Sequence, residues 1–138
     1  MKSIARTGAY GVAIQDGKIL LIRQYRGPYA EKYDLPGGKI EAGESAEMAL
    51  HREFAEEVAM EFRSAAWLEQ IQASTAFLGT EDEPCTYHHT AFVFVVKDLA
   101  QLTQPSEYEL YWVPVNALAD LPISPLVERI LGRLDALL

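Results

Sequence analysis

The chain has 138 residues, of which 49% are hydrophobic and 23% charged, and its formal net charge is -8. These values predict one globular domain over residues 1–138, with a core large enough to fold alone. The acidic balance argues against binding of a nucleic-acid polymer, because such a partner needs a basic face that displaces its counterions.

The N-terminal residues and the cysteine content indicate where the protein is located. The N-terminal residues, MKSIARTGAY, lack the apolar stretch of a secretory signal peptide, and the aliphatic run at 19–22 is too short to cross a bilayer. The single cysteine, Cys85, excludes an internal disulfide and a cysteine-based zinc site, and it fits a reducing compartment. We therefore expect a cytoplasmic protein without a membrane segment.

The predicted elements begin with a β-hairpin. Apolar runs at residues 9–14 and 18–22 flank Asp16-Gly17, a dipeptide that tolerates the positive φ angles of a tight turn. Residues 25–32 are polar and aromatic and are predicted to form a loop. In Leu35-Pro36-Gly37-Gly38, which follows, proline favours an extended Leu35, and the paired glycines allow a sharp turn close to a ligand.

A helix is predicted over residues 46–58, with Ser45 as its N-cap and no glycine or proline inside it. At about 100 degrees per residue, Glu53, Glu56 and Glu57 lie on one helical face, beside an apolar stripe that can pack on a sheet. Two interpretations remain open for this face: a solvated acidic surface, or an array of carboxylates that binds divalent cations.

The rest of the chain predicts three strands, at residues 67–76, 91–96 and 110–113, with an acidic surface loop at 80–84. A closing amphipathic helix is predicted over residues 125–137, because Leu126, Ile130, Leu134 and Leu137 form one stripe. Strands mixed with two helices indicate the α/β class.

Residues 38–60, GKIEAGESAEMALHREFAEEVAM, resemble the Nudix box. That pattern is Gly, five residues, Glu, seven residues, Arg-Glu, an apolar residue, any residue, Glu-Glu, any residue, Gly and an apolar residue. The chain departs from it only at Ala59, which stands where the family has its last glycine. A left-handed alanine would cost about 1–2 kcal/mol, so we expect the helix to end differently here. The resemblance implies a mixed β-sheet sandwiched between α-helices, as in small MutT-like members.

The resemblance also implies a metal site. By it, Glu56 and Glu57 bind Mg²⁺ or Mn²⁺ together with a backbone carbonyl of Gly37 or Gly38, and Glu53 is either a ligand or the base that activates water. Oxygen ligands suit these ions better than zinc.

Two further box residues, Glu44 and Arg52, complete the predicted catalytic set with Glu53 and Glu57. The resemblance implies that Glu44 has a supporting role near the metal ions. Arg52 is predicted to hold a carboxylate in one orientation by a bidentate contact. The alternative for Arg52 is a plain helix pair with Glu56, which contributes little in solvent.

Arg23, outside the box, and Lys39, next to the glycine pair, are predicted to bind substrate. The resemblance implies that Glu109 is an extra metal ligand or base, with Glu107 and Asp98 as rivals. The general base stays open among Glu53, Glu44 and Glu109. Two further sets are weighed: loop tyrosines that could stack on a nucleobase, and a histidine pair expected to be structural. They are Tyr25, Tyr29 and Tyr33, and His88 with His89.

The predicted function is Mg²⁺-dependent hydrolysis of a diphosphate bond in a nucleoside diphosphate-linked compound, by water attack at phosphorus. A nucleoside triphosphate or related nucleotide is the expected substrate, because the proline typical of ADP-ribose hydrolases is missing around residues 73–76. One alternative is a catalytically silent Nudix fold that senses a nucleotide or binds a protein, and another is an isomerase of prenyl diphosphates. Related proteins often form dimers, so a homodimer is also expected.

Overall fold

A computed structural model describes residues 1–138. Eight strands form its sheets: β1 (Lys2–Val12), β2 (Ile14–Gln15), β3 (Lys18–Arg23), β4 (Tyr33–Asp34), β5 (Gly37–Lys39), β6 (Met60–Leu78), β7 (Pro84–Gln101) and β8 (Tyr111–Pro114). The α-helices are α1 (Ala46–Val58) and α2 (Pro125–Leu134), and short 3₁₀ helices occupy Val115–Asp120 and Asp135–Leu137. Neither α-helix is long and apolar enough to cross a lipid bilayer.

The strands form two sheets. The first is mixed, with the order β5-β1-β7-β6, in which only β1 and β7 run parallel. In the second, β3 pairs with β2, β4 and β8. The turn between β2 and β3 has positive φ at both Asp16 (52°) and Gly17 (74°), so the predicted hairpin is observed.

The two helices cover opposite faces of β1. Ala9 and Ala13 belong to the core under α1, whereas Tyr10 and Val12 belong to the core under α2, because successive strand side chains point to opposite faces. The mixed sheet therefore lies between helices, as predicted.

Helix α1 has the predicted bounds. The Oγ atom of Ser45 accepts a hydrogen bond from the Met48 N–H at 3.1 Å, as an N-cap does. Leu50, Phe54 and Val58 are fully buried, which fixes the helix on the sheet and sets the direction of its acidic residues.

The largest differences from the predicted elements are in β6 and β7, which form one long hairpin of 19 and 18 residues. The apolar pattern marks only part of each strand, because the remaining residues pair through the backbone while many of their side chains stay exposed. In addition, α2 ends at Leu134, and the last predicted turn is a 3₁₀ helix.

The expectation that α1 ends differently at Ala59 is wrong. Ala59 adopts the left-handed conformation (φ 53°, ψ 44°), and its N–H donates to the Phe54 carbonyl oxygen, so the alanine takes the geometry usual for a glycine. Its methyl group is buried at 1% exposure. Tertiary packing therefore overrides the local preference of an alanine.

We expect Ala59→Val to unfold more readily than Ala59→Gly, by on the order of 2 kcal/mol, because a β-branched residue is strained at positive φ whereas glycine is not. Urea unfolding of both variants and the wild type measures the difference. Equal stabilities of the two variants would show that residue 59 leaves the left-handed region.

Candidate functional site

A cleft of about 510 Å³ lies where the glycine pair meets α1 and the mixed sheet. Its lining brings together Gly37, Gly38, Lys39, Glu53 and Glu57, which the sequence analysis placed in the site. The volume is within the usual range for a small-molecule pocket.

The glycine pair lets two carboxylates approach the backbone. The Gly37 N–H donates to Glu57 Oε1 at 2.9 Å. A Cβ at Gly38 would lie only 2.6–2.8 Å from the carboxyl group of Glu53, and one at Gly37, whose φ is +146°, would collide with the backbone of β1. Position 37 therefore requires glycine, and a side chain at position 38 would displace the carboxyl group of Glu53.

Burial changes the proton affinity of these two carboxylates. It raises the pKa of Glu57 to about 9, against the opposing Gly37 hydrogen bond and with a smaller contribution from the charge of Glu53. Burial also raises the pKa of Glu53, although Arg52 opposes the shift. Near neutral pH, Glu57 therefore either keeps a proton or is stabilised by a cation.

Arg52 joins several parts of the site. Its Nε and Nη2 atoms donate to the two oxygens of Glu44 at 2.8 and 2.9 Å, its Nη1 donates to Glu53 at 2.8 Å, and Nη2 also donates to the Lys39 carbonyl oxygen at 2.9 Å. The predicted bidentate contact is thus formed with Glu44. The looser contact with Glu56, at 3.6 Å, exists beside it.

Glu44 is held as an anion. Hydrogen bonds from Arg52, together with the Glu41 N–H, lower the pKa of Glu44 to about 2. A carboxylate with so little proton affinity is a poor general base at neutral pH. The contacts of Glu44 instead hold the Arg52 guanidinium in place, and Arg52 in turn orients Glu53.

The three predicted helix carboxylates do not all face the cleft. Glu53 and Glu57 line it, whereas Glu56 does not and its side chain is 52% exposed. No three acidic, histidine or cysteine side chains converge into a ready-made metal cluster. Two carboxylates beside glycine backbone are nevertheless oxygen donors of the kind Mg²⁺ and Mn²⁺ prefer, and the buried charge of Glu57 needs a positive partner, so the residues fit a divalent cation.

Two predicted residues outside the box lie elsewhere. Glu109 is absent from the cleft lining and accepts a hydrogen bond from the Tyr111 hydroxyl at 3.1 Å. Its rival Glu107 lies beside α1, where its N–H donates to the Glu56 carbonyl oxygen at 3.0 Å, and its charge contributes to the raised pKa of both Glu53 and Glu57.

Arg23 is also displaced from the cleft. Its Nη2 donates to Glu31 at 3.0 Å, and its guanidinium lies over the ring of Tyr33. Two cations that the sequence analysis did not select, Arg6 and Arg26, line the cleft and form no salt bridge. Nothing in the sequence distinguishes them from ordinary surface charges.

We expect Arg26→Ala to raise KM for a nucleotide substrate about tenfold, because an unpaired guanidinium in the cleft can bind phosphate by charge-assisted hydrogen bonds. Arg23→Ala is the matched control and should change KM less than twofold, since Arg23 is paired with Glu31 outside the cleft. Steady-state kinetics of both variants measure this, and the reverse order would place Arg23 at the substrate.

The three loop tyrosines also differ in whether they line the cleft. Tyr29 lines the cleft, Tyr25 stacks on Tyr108 at 6.3 Å, and Tyr33 packs against Tyr111. The sequence analysis missed a buried cleft residue, Asp34, whose carboxylate accepts hydrogen bonds from Gln24, the Leu35 N–H and Ser124. Since Ser124 is the N-cap of α2, Asp34 ties the glycine loop to that helix.

Comparison with known proteins identifies the family. Residues 5–133 match the model of the NUDIX domain. The chain belongs to the Nudix family. The match covers most of the domain and not only the box, so the predicted family and fold class are confirmed.

Individual relatives agree with this assignment. The chain is 30% identical over 125 residues to a Mycobacterium tuberculosis protein named "Putative 8-oxo-dGTP diphosphatase 2", covering 80% of this chain and 84% of that one. It is 29% identical over 86 residues to a Methanocaldococcus jannaschii ADP-ribose pyrophosphatase, covering 62% and 47%. The crystal structure of a MutT NUDIX hydrolase from Burkholderia pseudomallei superposes with a TM-score of 0.73 at 27% identity, covering 93% and 96%. The prediction of a MutT-like Nudix pyrophosphohydrolase is therefore confirmed at the level of family and enzyme class.

Proposed function

We propose that this Nudix protein uses a divalent cation to hydrolyse a diphosphate bond in a nucleoside triphosphate or a closely related nucleotide. The observation that carries the proposal is the pair of carboxylates, the half-buried Glu53 and the buried Glu57, held against the glycine pair in a cleft lined by unpaired cations.

Glu53, Glu57 and the backbone of Gly37 and Gly38 would hold Mg²⁺ or Mn²⁺, with Glu56 as a further ligand from the same helix. When bound, such an ion supplies positive charge to the phosphate oxygens and makes a water molecule more acidic. Burial of the Glu57 carboxylate supports this role, because a cation would replace the proton that the raised pKa otherwise favours.

Among the three candidates for the general base, Glu53 has the strongest support. It lines the cleft, and burial raises its pKa, which gives it more proton affinity than an exposed carboxylate. Glu44 is engaged by Arg52 through both oxygens, and Glu109 is outside the cleft lining. We therefore assign Glu53 to water activation and Glu44 with Arg52 to its orientation.

Substrate phosphates would meet the positive side chains of the cleft. Lys39 follows the glycine pair directly, and Arg26 lies on the loop before β4. Neither forms a salt bridge, so both are available to an anion in a chain whose net charge is -8. These cations allow an acidic protein to bind a polyphosphate locally.

The substrate class rests on two relatives with different names. The better-covered one is named for 8-oxo-dGTP and the other for ADP-ribose. Coverage of 84% of the first relative against 47% of the second favours a nucleoside triphosphate. The cytoplasmic location and the homodimer remain predictions.

A substrate screen tests the proposal. Nucleoside triphosphates, oxidised nucleotides, dinucleotides and ADP-ribose are incubated with Mg²⁺ or Mn²⁺. Released phosphate and pyrophosphate are measured together with nucleoside monophosphates, because cleavage of ADP-ribose or a dinucleotide releases only phosphate monoesters. We expect fastest turnover of a triphosphate, and none with excess chelator. Binding of nucleotides without turnover under any metal condition would instead indicate a silent sensing module.

A further inference from the structure

The part of the cleft away from the acidic helix is an aromatic cluster. Tyr10, Tyr29, Tyr87 and His89 all line the cleft, and none is more than 6% exposed. Their rings pack together, with centroids 5.0 Å apart for Tyr87 and His89 and 5.7 Å apart for Tyr29 and Tyr87. Ring faces and edges form this region, and the charged side chain of Arg6, paired with His89 across β1 and β7, lies beside it.

Two hydrogen bonds join three of these residues. The Tyr10 hydroxyl lies 2.7 Å from His89 Nε2, and the Tyr29 hydroxyl lies 2.8 Å from His89 Nδ1. Burial, with the nearby positive charge of Arg6, lowers the pKa of His89 to about 4. The imidazole is therefore neutral, so that one ring nitrogen donates a hydrogen bond and the other accepts one.

The network has one more polar hydrogen than its two hydrogen bonds use. Two phenol groups and one neutral imidazole carry three polar hydrogens, and the two hydrogen bonds use two of them. Both phenols keep their protons near neutral pH, because the ordinary pKa of a tyrosine is about 10. One tyrosine must accept from the His89 N–H, and neither of the two hydrogen bonds then uses its own O–H. For Tyr29 the Thr75 side chain is a nearby partner, whereas Tyr10 has none beyond His89. The network thus presents one uncharged donor at the cleft.

We propose that Tyr10, His89 and Tyr29 form a specificity-determining unit that binds the nucleobase of the substrate by donating this phenolic hydrogen to an acceptor on the base edge. The inference rests on the proposed function, because both concern the same cleft. The proposed function places the substrate phosphates at one end, and the inference places the nucleobase at the other. The phosphate end has Lys39 and two glutamates, whereas the aromatic end suits a planar, uncharged ring. A buried donor left unpaired is unfavourable, so a base without a matching acceptor binds less well.

The test measures binding rather than turnover. Calorimetry with Mg²⁺ compares nucleoside 5′-monophosphates with ribose 5-phosphate, which carries the same phosphate and sugar without a base. For the wild type, the best monophosphate should bind at least tenfold more tightly than ribose 5-phosphate. In the double variant Tyr10→Phe/Tyr29→Phe, this ratio should fall about tenfold while the affinity for ribose 5-phosphate changes less than twofold, since one hydrogen bond contributes about 1–1.5 kcal/mol.

Tyr111→Phe is the matched control, because it removes a tyrosine hydroxyl that is bonded to Glu109 away from the cleft lining. If the double variant does not fold, the single variants Tyr10→Phe and Tyr29→Phe replace it, and one of the two should show the reduced ratio, because either hydroxyl can carry the unused hydrogen. An unchanged ratio, or an equal loss for both ligands, would overturn the base-reading assignment. Absence of hydrolysis with intact base discrimination would instead overturn only the proposed function.

Discussion

Replacement of Glu57 by glutamine should lower kcat by about a thousandfold or more while the fold stays intact. The amide oxygen of glutamine can still accept the Gly37 N–H, so the local packing survives. It lacks the negative charge that would bind a divalent cation, and loss of several kcal/mol of charge stabilisation corresponds to a factor of this size.

The same substitution should stabilise the metal-free protein. Glu57 has a folded-state pKa of about 9, above its ordinary value of 4.5, so it contributes most stability below pH 4.5 and loses that contribution as pH rises toward 9. Glutamine is neutral at every pH and does not lose it. Near pH 7 with excess chelator, the free energy of unfolding of Glu57→Gln should therefore exceed that of the wild type by on the order of 2–3 kcal/mol.

Thermal unfolding of the wild type and Glu57→Gln between pH 5 and 9, with chelator and then with Mg²⁺, measures this difference in stability. Wild-type stability should fall with pH only when metal is absent, and Mg²⁺ should raise the wild-type Tm more than that of the variant. Glu109→Gln is the matched control, with kcat expected within twofold of wild type, because Glu109 is outside the cleft lining. Full turnover by Glu57→Gln would exclude Glu57 as a metal ligand.

Replacement of Arg52 by lysine should lower kcat about a hundredfold with little change in KM. A lysine keeps the positive charge but cannot bind both oxygens of Glu44 and still reach Glu53 and the Lys39 carbonyl, as the guanidinium does. Glu53 then loses its fixed orientation, and a small misplacement of a catalytic group can reduce the rate by this factor.

The split between kcat and KM distinguishes positioning from substrate binding. Arg133→Lys is the matched control, because Arg133 pairs with Glu69 away from the cleft. The pH–rate profile of Arg52→Lys should also shift to higher pH, since Arg52 holds the pKa of Glu53 down. A variant with wild-type kcat but raised KM would instead place Arg52 in contact with substrate.

Much of the site could be predicted from residues 38–57, because those residues are fixed relative to one another by a single helix and its preceding turn. The N-cap at Ser45, the α1 bounds and the Arg52–Glu44 contact all depend on short-range geometry. Helical spacing places Glu56 on one face with Glu53 and Glu57, but it does not give their burial: the Glu56 side chain is 52% exposed, whereas the other two line the cleft.

Contacts between distant segments could not be predicted in this way. Arg23 and Arg26 are three residues apart, but only Arg26 lines the cleft, because Arg23 pairs with Glu31. The bond from Tyr10 to His89 joins residues 79 positions apart, on the strands β1 and β7 that only the fold brings side by side.

The sequence by itself determined the family, the α/β class and the chemistry of one helix, since a motif of charged residues and glycines encodes local backbone geometry directly. The tertiary structure alone decided which side chains share the cleft, where Ala59 is held in a left-handed conformation, and which carboxylate is buried enough to need a cation. The physical reason is that burial and charge depend on every segment packed around a residue.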